Sequence, residues 1–77
     1  MLYKARYITL RQELVRARLQ AGITQLQLAE LLYKAQSFVS KVETGERYLD
    51  VLDFVAWCEA VNTPTEDVLG KVRAVAP

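Results

Sequence analysis

The sequence predicts an all-α fold, a compact five-helix domain organised around residues 24–45, where two short helices meet at a tight turn. Three observations lead there. Apolar residues recur three and four positions apart, the spacing of one helix face. Helix start and stop signals punctuate the chain at regular intervals: Thr24 with Gln27, Asp50, and Thr63-Pro64 as starts, and Gly22, Gly45, Asn62 and Gly70 as stops. The length of 77 residues bounds the chain to one domain, 1–77, of the size of a small helical unit.

The first helix is expected over residues 7–21, with Tyr7, Leu10, Leu14, Ala17 and Ala21 on its apolar stripe and Arg11, Arg16 and Gln20 outside it. Two starts are open. Thr9 and Gln12 form a capping-box pair that begins the helix at Leu10, or the helix begins near Tyr3. Gly22 ends it, and Ile23 is placed to pack just before the next N-cap.

The second helix, residues 25–33, starts at Thr24, whose hydroxyl can take the open third amide while Gln27 reaches back. Such a cap contributes ~1 kcal/mol. Leu28 and Leu32 stack at i and i+4, and the small Ala29 beside them lets another helix approach. After Tyr33-Lys34-Ala35 the pattern restarts. Over residues 36–44, Val39 and Val42 share one face and Gln36, Ser37, Ser40, Lys41 and Thr44 the other, before Gly45 supplies a left-handed end. Two helices with apolar inner faces, a short turn between them and a hydrogen-bonding outer face suit a DNA major groove.

Asp50 caps the fourth helix, residues 51–61, with Val51, Phe54, Cys58 and Val61 inward and Trp57 adjoining. Leu52, Val55 and Ala56 widen its apolar surface. Asn62 ends it. Thr63-Pro64-Thr65-Glu66 then opens a fifth helix with a capping box and a first-turn proline. That helix is expected over 64–69, with Gly70 breaking it and 70–77 fraying.

Composition narrows the function. Charges interrupt every apolar run well before the roughly 18 residues of a membrane span, and the first ten residues carry Lys4 and Arg6 instead of a signal-peptide core, so no membrane partner and a cytoplasmic location are expected. With no histidine and the single Cys58, neither a zinc site nor an internal disulfide is expected, and no cofactor; Cys58 reads as a small buried hydrophobe. An enzyme is not expected either, because the carboxylates show no pairing in a cleft. The formal charge of +1 is unevenly spread. Residues 1–48 hold eight Lys/Arg against Glu13, Glu30, Glu43 and Glu46, net +4, whereas 49–77 hold two against five acids, net −3. A basic face toward phosphate and an acidic face away is one reading of this; a chance split of solvated charges is the other.

The runs TQLQLAELL, QSFVSKVE and TGER resemble the lambda-repressor-like (Cro, xenobiotic-response-element) helix-turn-helix family over about residues 10–69. The resemblance implies roles residue by residue. Arg18 matches an arginine that pairs with the glutamate matching Glu43, tying the first helix to the third; a guanidinium fork can hold a carboxylate by two bonds. Gln25 matches a position that bonds phosphate and braces the base-reading glutamine, matched by Gln36, whose amide can satisfy adenine N6 and N7 together. Ser37 and Lys41 match further groove-facing positions, with Ser40 between them. Thr44, the amides around Gly45, Arg47 and Tyr48 match the loop that grips the DNA backbone, where phosphate contacts position the protein and base contacts specify sequence.

Three residues depart from the family pattern. Tyr33 replaces the usual turn glycine, at a strain cost if that backbone is left-handed. Lys34 replaces a small apolar residue, so that its stem covers the turn and its ammonium reaches phosphate. Ala35 replaces a capping hydroxyl, leaving the reading helix without a side-chain cap. Phe38 reads equally as a contact to a thymine methyl or sugar and as packing against the second helix, and Leu31 is either a partner surface or a scattered exposed leucine.

The resemblance implies a sequence-specific regulator of double-stranded DNA, most often a repressor, with no small-molecule ligand evident. A homodimer is expected because one reading helix spans few base pairs, and its contact is placed on Leu52, Val55, Ala56, Val68 and Leu69; the other reading is that these residues only finish the monomer core. The alternative class is an antitoxin-like protein-interaction module with secondary DNA binding, which an exposed apolar patch around Leu31 and Trp57 would favour.

Overall fold

Four of the five helices end on a residue in the left-handed region or just before it, and each of those ends turns the chain sharply toward the next element. The computed structural model describes residues 4–77, with helices α1 (Ala5–Gln20), α2 (Gln25–Leu32), α3 (Gln36–Thr44), α4 (Val51–Ala60) and α5 (Thr65–Arg73). Gly22, Tyr33, Gly45 and Asn62 all have positive φ, between 56° and 85°. At each, two amides fold back on the preceding turn: Gly22 N–H to Leu19 O and Ile23 N–H to Arg18 O, Tyr33 to Glu30 and Lys34 to Ala29, Gly45 to Val42 and Glu46 to Lys41, Asn62 to Glu59 and Thr63 to Cys58. This paired closure satisfies carbonyls that a helix end otherwise leaves open.

Tyr33 therefore does adopt the left-handed conformation where the family pattern has glycine, with φ 57° and ψ 41°. Its side chain is 96% exposed, so no packing offsets the strain. The Thr24–Gln27 capping box forms in both directions, Thr24 Oγ1 accepting from Gln27 N at 3.1 Å and Gln27 Oε1 from Thr24 N at 2.8 Å. Asp50 caps α4 in the expected way, accepting from Asp53 N at 2.8 Å.

The core gathers Leu14 and Ala17 of α1, Leu28 and Ala29 of α2, Phe38, Val39 and Val42 of α3, Phe54, Trp57 and Cys58 of α4, with Val61 and Val68. Trp57 is its largest fully buried member, and its indole N–H donates to Leu14 O at 3.3 Å. Burying the indole with its one donor satisfied is the arrangement that lets tryptophan sit inside a core.

Several expectations are corrected here. The capping box proposed at Thr9 and Gln12 does not form, because α1 already begins at Ala5 and Thr9 lies within it; the alternative start near Tyr3 falls outside the described residues. Ala21 is exposed. Val51 points outward at 70% exposure, and Trp57 takes the inward place beside Phe54 and Cys58. No capping box opens α5: Thr63 N–H is already committed to Cys58 O, and Glu66 accepts from the Thr65 hydroxyl at 3.0 Å. That hydroxyl and the Glu66 backbone amide, the larger influence, hold the Glu66 carboxyl below its ordinary range. Finally, α5 does not stop at Gly70 but runs on to Arg73. Arg6 of α1 explains the extension, since its guanidinium donates to Val75 O at 2.8 Å and Arg73 O at 3.4 Å and so satisfies carbonyls at the far end of α5. Lys71 adds an ion pair to Glu13 of α1 at 3.3 Å.

Two tests of stability follow from this backbone. Gly70 is helical, and a Cβ there meets nothing within 4 Å, so Gly70→Ala should stabilise by about 0.5–1 kcal/mol. Tyr33→Gly should stabilise by a similar amount, about 0.5–1 kcal/mol, by releasing the left-handed strain. Each should raise Tm by several degrees in thermal unfolding followed by circular dichroism; a lower Tm for Tyr33→Gly contradicts the strained turn.

Cys58 offers a pH test. Burial, and secondarily the Glu59 charge, push its thiol from 9.0 up to about 11. Below about pH 9 both folded and unfolded chains keep the proton, and between about 9 and 11 the unfolded chain ionises first, so stability falls over that window. Urea unfolding across it should show a steeper loss for the wild type than for Cys58→Ala; parallel curves would refute the shifted thiol.

Candidate nucleic-acid interface

The turn from α2 into α3 is short because its left-handed Tyr33 reverses the chain within three residues, so that α3 starts at Gln36. Phe38, Val39 and Val42 fasten α3 to the core. That packing fixes the opposite face. Gln36, Ser37, Lys41 and Thr44 are exposed there, and Ser40 is half-buried between them. No side chain caps the first turn of α3, where Ala35 is the N-cap residue.

Glu43 anchors the other side of α3. Its carboxylate accepts from Arg18 Nε at 2.7 Å, Arg18 Nη2 at 3.0 Å and Gln25 Nε2 at 2.9 Å, while Arg18 Nη1 donates to Ile23 O at 2.9 Å. The side chains of Arg18 and Glu43 keep only 11% and 7% of their exposure. Three helices thus meet at one carboxylate, and Arg18 ties the α1–α2 turn to the same cluster. Gln25 braces Glu43 and not Gln36, and its amide nitrogen has one further proton to offer.

The end of α3 carries a contact that the sequence analysis did not anticipate. Arg11 Nη1 donates to Glu43 O at 3.2 Å, and its guanidinium carbon lies 2.9 Å from where a Cβ on Gly45 would stand. Gly45 thus meets two demands at once, a left-handed φ of 85° and room for Arg11. Arg11 Nε is buried with no hydrogen-bond partner among the described residues. The signal was present in the spacing: Arg11 and Arg18 are two helical turns apart and so share one face of α1.

The loop after α3 corrects one expectation. The amides of Gly45, Glu46 and Arg47 donate to Val42 O, Lys41 O and Lys41 O, and are consumed in closing the helix. The donors this loop has left to offer a ligand are therefore on side chains. Thr44 Oγ1 lies 2.8 Å from Glu46 Oε2 and 3.3 Å from Lys41 O, and its single proton serves one at a time. Arg47 Cζ lies 4.9 Å from the Phe38 ring centroid, and Lys34 Nζ lies 5.0 Å from the same centroid and 3.8 Å from Asp53 Oδ1. Tyr48 packs edge-on against Tyr7, centroids 5.0 Å apart, and the Tyr7 hydroxyl accepts from Leu49 N at 2.9 Å. Phe38, expected either to touch thymine or to pack, is buried.

Of the residues expected at a dimer contact, Leu52 is 77% exposed, Val55 and Leu69 are also exposed and Ala56 is half-buried. Val68 is removed from that set, since it lies in the core at 3% exposure, where α5 packs on α1. The patch around Leu31 and Trp57 that would favour the interaction-module alternative does not form, because Trp57 is fully buried; Leu31 stands exposed without it. Among the described residues no helix is long and apolar enough to cross a membrane.

Comparison with known proteins agrees with this geometry. The helix-turn-helix family model HTH_3 matches residues 14–68. An XRE-family-like protein from Pseudomonas syringae pv. tomato is 46% identical, with a TM-score of 0.87 over 95% of this chain and 89% of that one. The clp gene regulator ClgR from C. glutamicum shares the fold at 24% identity, with a TM-score of 0.78 over 86% of each chain. No curated protein matches.

The buried pair is testable by unfolding. Arg18→Ala leaves the Glu43 carboxylate buried without its fork and should cost ~3–5 kcal/mol in urea, whereas Lys71→Ala, which removes an exposed lysine and leaves Glu13 its second partner Arg16, should cost less than about 1 kcal/mol. Similar small losses for both would show that the Arg18–Glu43 pair does not hold α3 in place.

Proposed function

The chain belongs to the XRE-type helix-turn-helix family of DNA-binding transcriptional regulators, and from that premise we propose that it acts in the cytoplasm as a homodimeric repressor reading a palindromic operator through α3. One observation supports this above others: α3 buries Phe38, Val39 and Val42 and leaves Gln36, Ser37 and Lys41 exposed on the opposite face. Every exposed group there hydrogen-bonds, and one is cationic. In a major groove Gln36 pairs with adenine N6 and N7, Lys41 with guanine O6 and N7, and Ser37 and Ser40 with either base edges or sugar-phosphate.

Phosphate contacts flank this reading face. The uncapped first turn of α3 offers amides and the positive end of a helix dipole. Gln25 offers its second amide proton, and Lys34, Thr44, Arg47 and Tyr48 stand around the two ends of α3. Two copies meeting through Leu52, Val55 and Leu69, with Ala56 at the margin, would place two reading helices across a two-fold axis. A dimer seated over a promoter represses by occlusion.

Selection from a random duplex library at about physiological salt, where non-specific binding is weak, tests the whole reading. The expected product is a palindrome with half-sites about one helical turn apart. Gln36→Ala and Lys41→Ala should each relax preference at a separate base position, at a cost of ~1–3 kcal/mol, whereas Arg47→Ala should weaken binding to all sequences. Equal losses on every duplex for all three variants would refute this division of labour, and the absence of any enriched sequence would refute the operator.

A further inference from the structure

Building on that DNA reading, we propose that Phe38 is a positioning residue, a single aromatic ring that holds two phosphate-binding cations, Lys34 and Arg47, ready for the DNA backbone. The two enter from opposite sides of α3 in sequence, Lys34 before its first residue and Arg47 beyond its last, yet both charged groups lie within 5.0 Å of the same ring centroid. An aliphatic side chain would fill the same core position, as Val39 and Val42 do nearby, but would present no π-face to a cation.

The choice of an aromatic partner matters because of what it leaves unused. Arg18 has three of its five guanidinium protons committed to Glu43 and Ile23, and its charge is cancelled. A ring instead attracts the cation through its quadrupole and takes none of its N–H groups, which remain available for phosphate oxygens. Lysine and arginine lose much rotamer freedom when they dock, and a side chain already gathered onto a ring has less left to lose. Asp53, 3.8 Å from Lys34 Nζ, offsets part of that ammonium's charge, but at a separation beyond hydrogen-bond length it takes none of the ammonium protons.

Fluorescence anisotropy with the selected operator and with a scrambled duplex tests this, with thermal unfolding run in parallel. Phe38→Leu should weaken both duplexes alike, by about three- to tenfold. Phe38→Tyr should restore binding. In a Lys34→Ala/Arg47→Ala background Phe38→Leu should have no further effect, a non-additivity that a purely structural role does not produce. If Phe38→Leu does not fold, Phe38→Met carries the same comparison at conserved volume. Unchanged affinity, an equal loss in the double-alanine background, failure of Phe38→Tyr to restore binding, or a loss confined to the operator would each overturn the proposal while leaving DNA binding intact. A wild type that binds neither duplex would overturn the DNA reading and this inference together.

Discussion

The position of α3 depends on the Arg18–Glu43 pair. A nine-residue helix has little stability of its own and is held by what it packs against. Phe38, Val39 and Val42 supply that packing on one side, but apolar contact alone tolerates rotation and sliding. The guanidinium fork does not, because two parallel hydrogen bonds are satisfied in one orientation only. Gln25 at the start of α2 closes on the same carboxylate. The outward direction of Gln36 and Lys41 is thus set from three helices. Burying two charges is not in itself a strong source of stability; its consequence here is geometric.

The left-handed helix ends contribute the second constraint. Each spends two amides on its own helix, which makes the connections short and leaves them little freedom. At the end of α3 this has a functional consequence. The loop has already used the backbone donors of residues 45–47, so in the proposed reading phosphate is met there by side chains, and those side chains need something to hold them. Phe38 and the Arg11 guanidinium beneath Gly45 occupy the places from which such support can come.

Much of this was legible in the sequence wherever the determinants were local. The Thr24–Gln27 box, the Asp50 cap and the ends at Gly22, Gly45 and Asn62 each depend on residues within one turn of one another. The Arg18–Glu43 pair came from family resemblance, not from spacing, as it joins positions 25 residues apart. What escaped was set by distant partners. Arg6 extends α5 through Gly70, an effect invisible to any reading of residues 64–77 alone. On α4 the apolar positions run nearly all the way round, so periodicity could not say that Trp57 faces in and Val51 out. Whether Val68 finishes the core or faces a partner is likewise not decided by spacing, because its packing against α1 is equally non-local.

The charge count shows the same limit more sharply. Eight cations in residues 1–48 suggest a broadly basic face, but the four arginines of α1 are engaged within the protein, and Lys34 is paired with Asp53. Arg6 caps α5, Arg11 caps α3, Arg16 pairs with Glu13 at 3.6 Å, and Arg18 is cancelled by Glu43. Beside α3 the cations are Lys41 on its outer face and Lys34 and Arg47 on the Phe38 ring. A few charges suffice for recognition when their positions are fixed, since steering depends on the summed field but register depends on where each donor stands. On this chain the arginines of α1 build the scaffold, and in the proposed DNA reading the cations around α3 are the ones that meet phosphate and base.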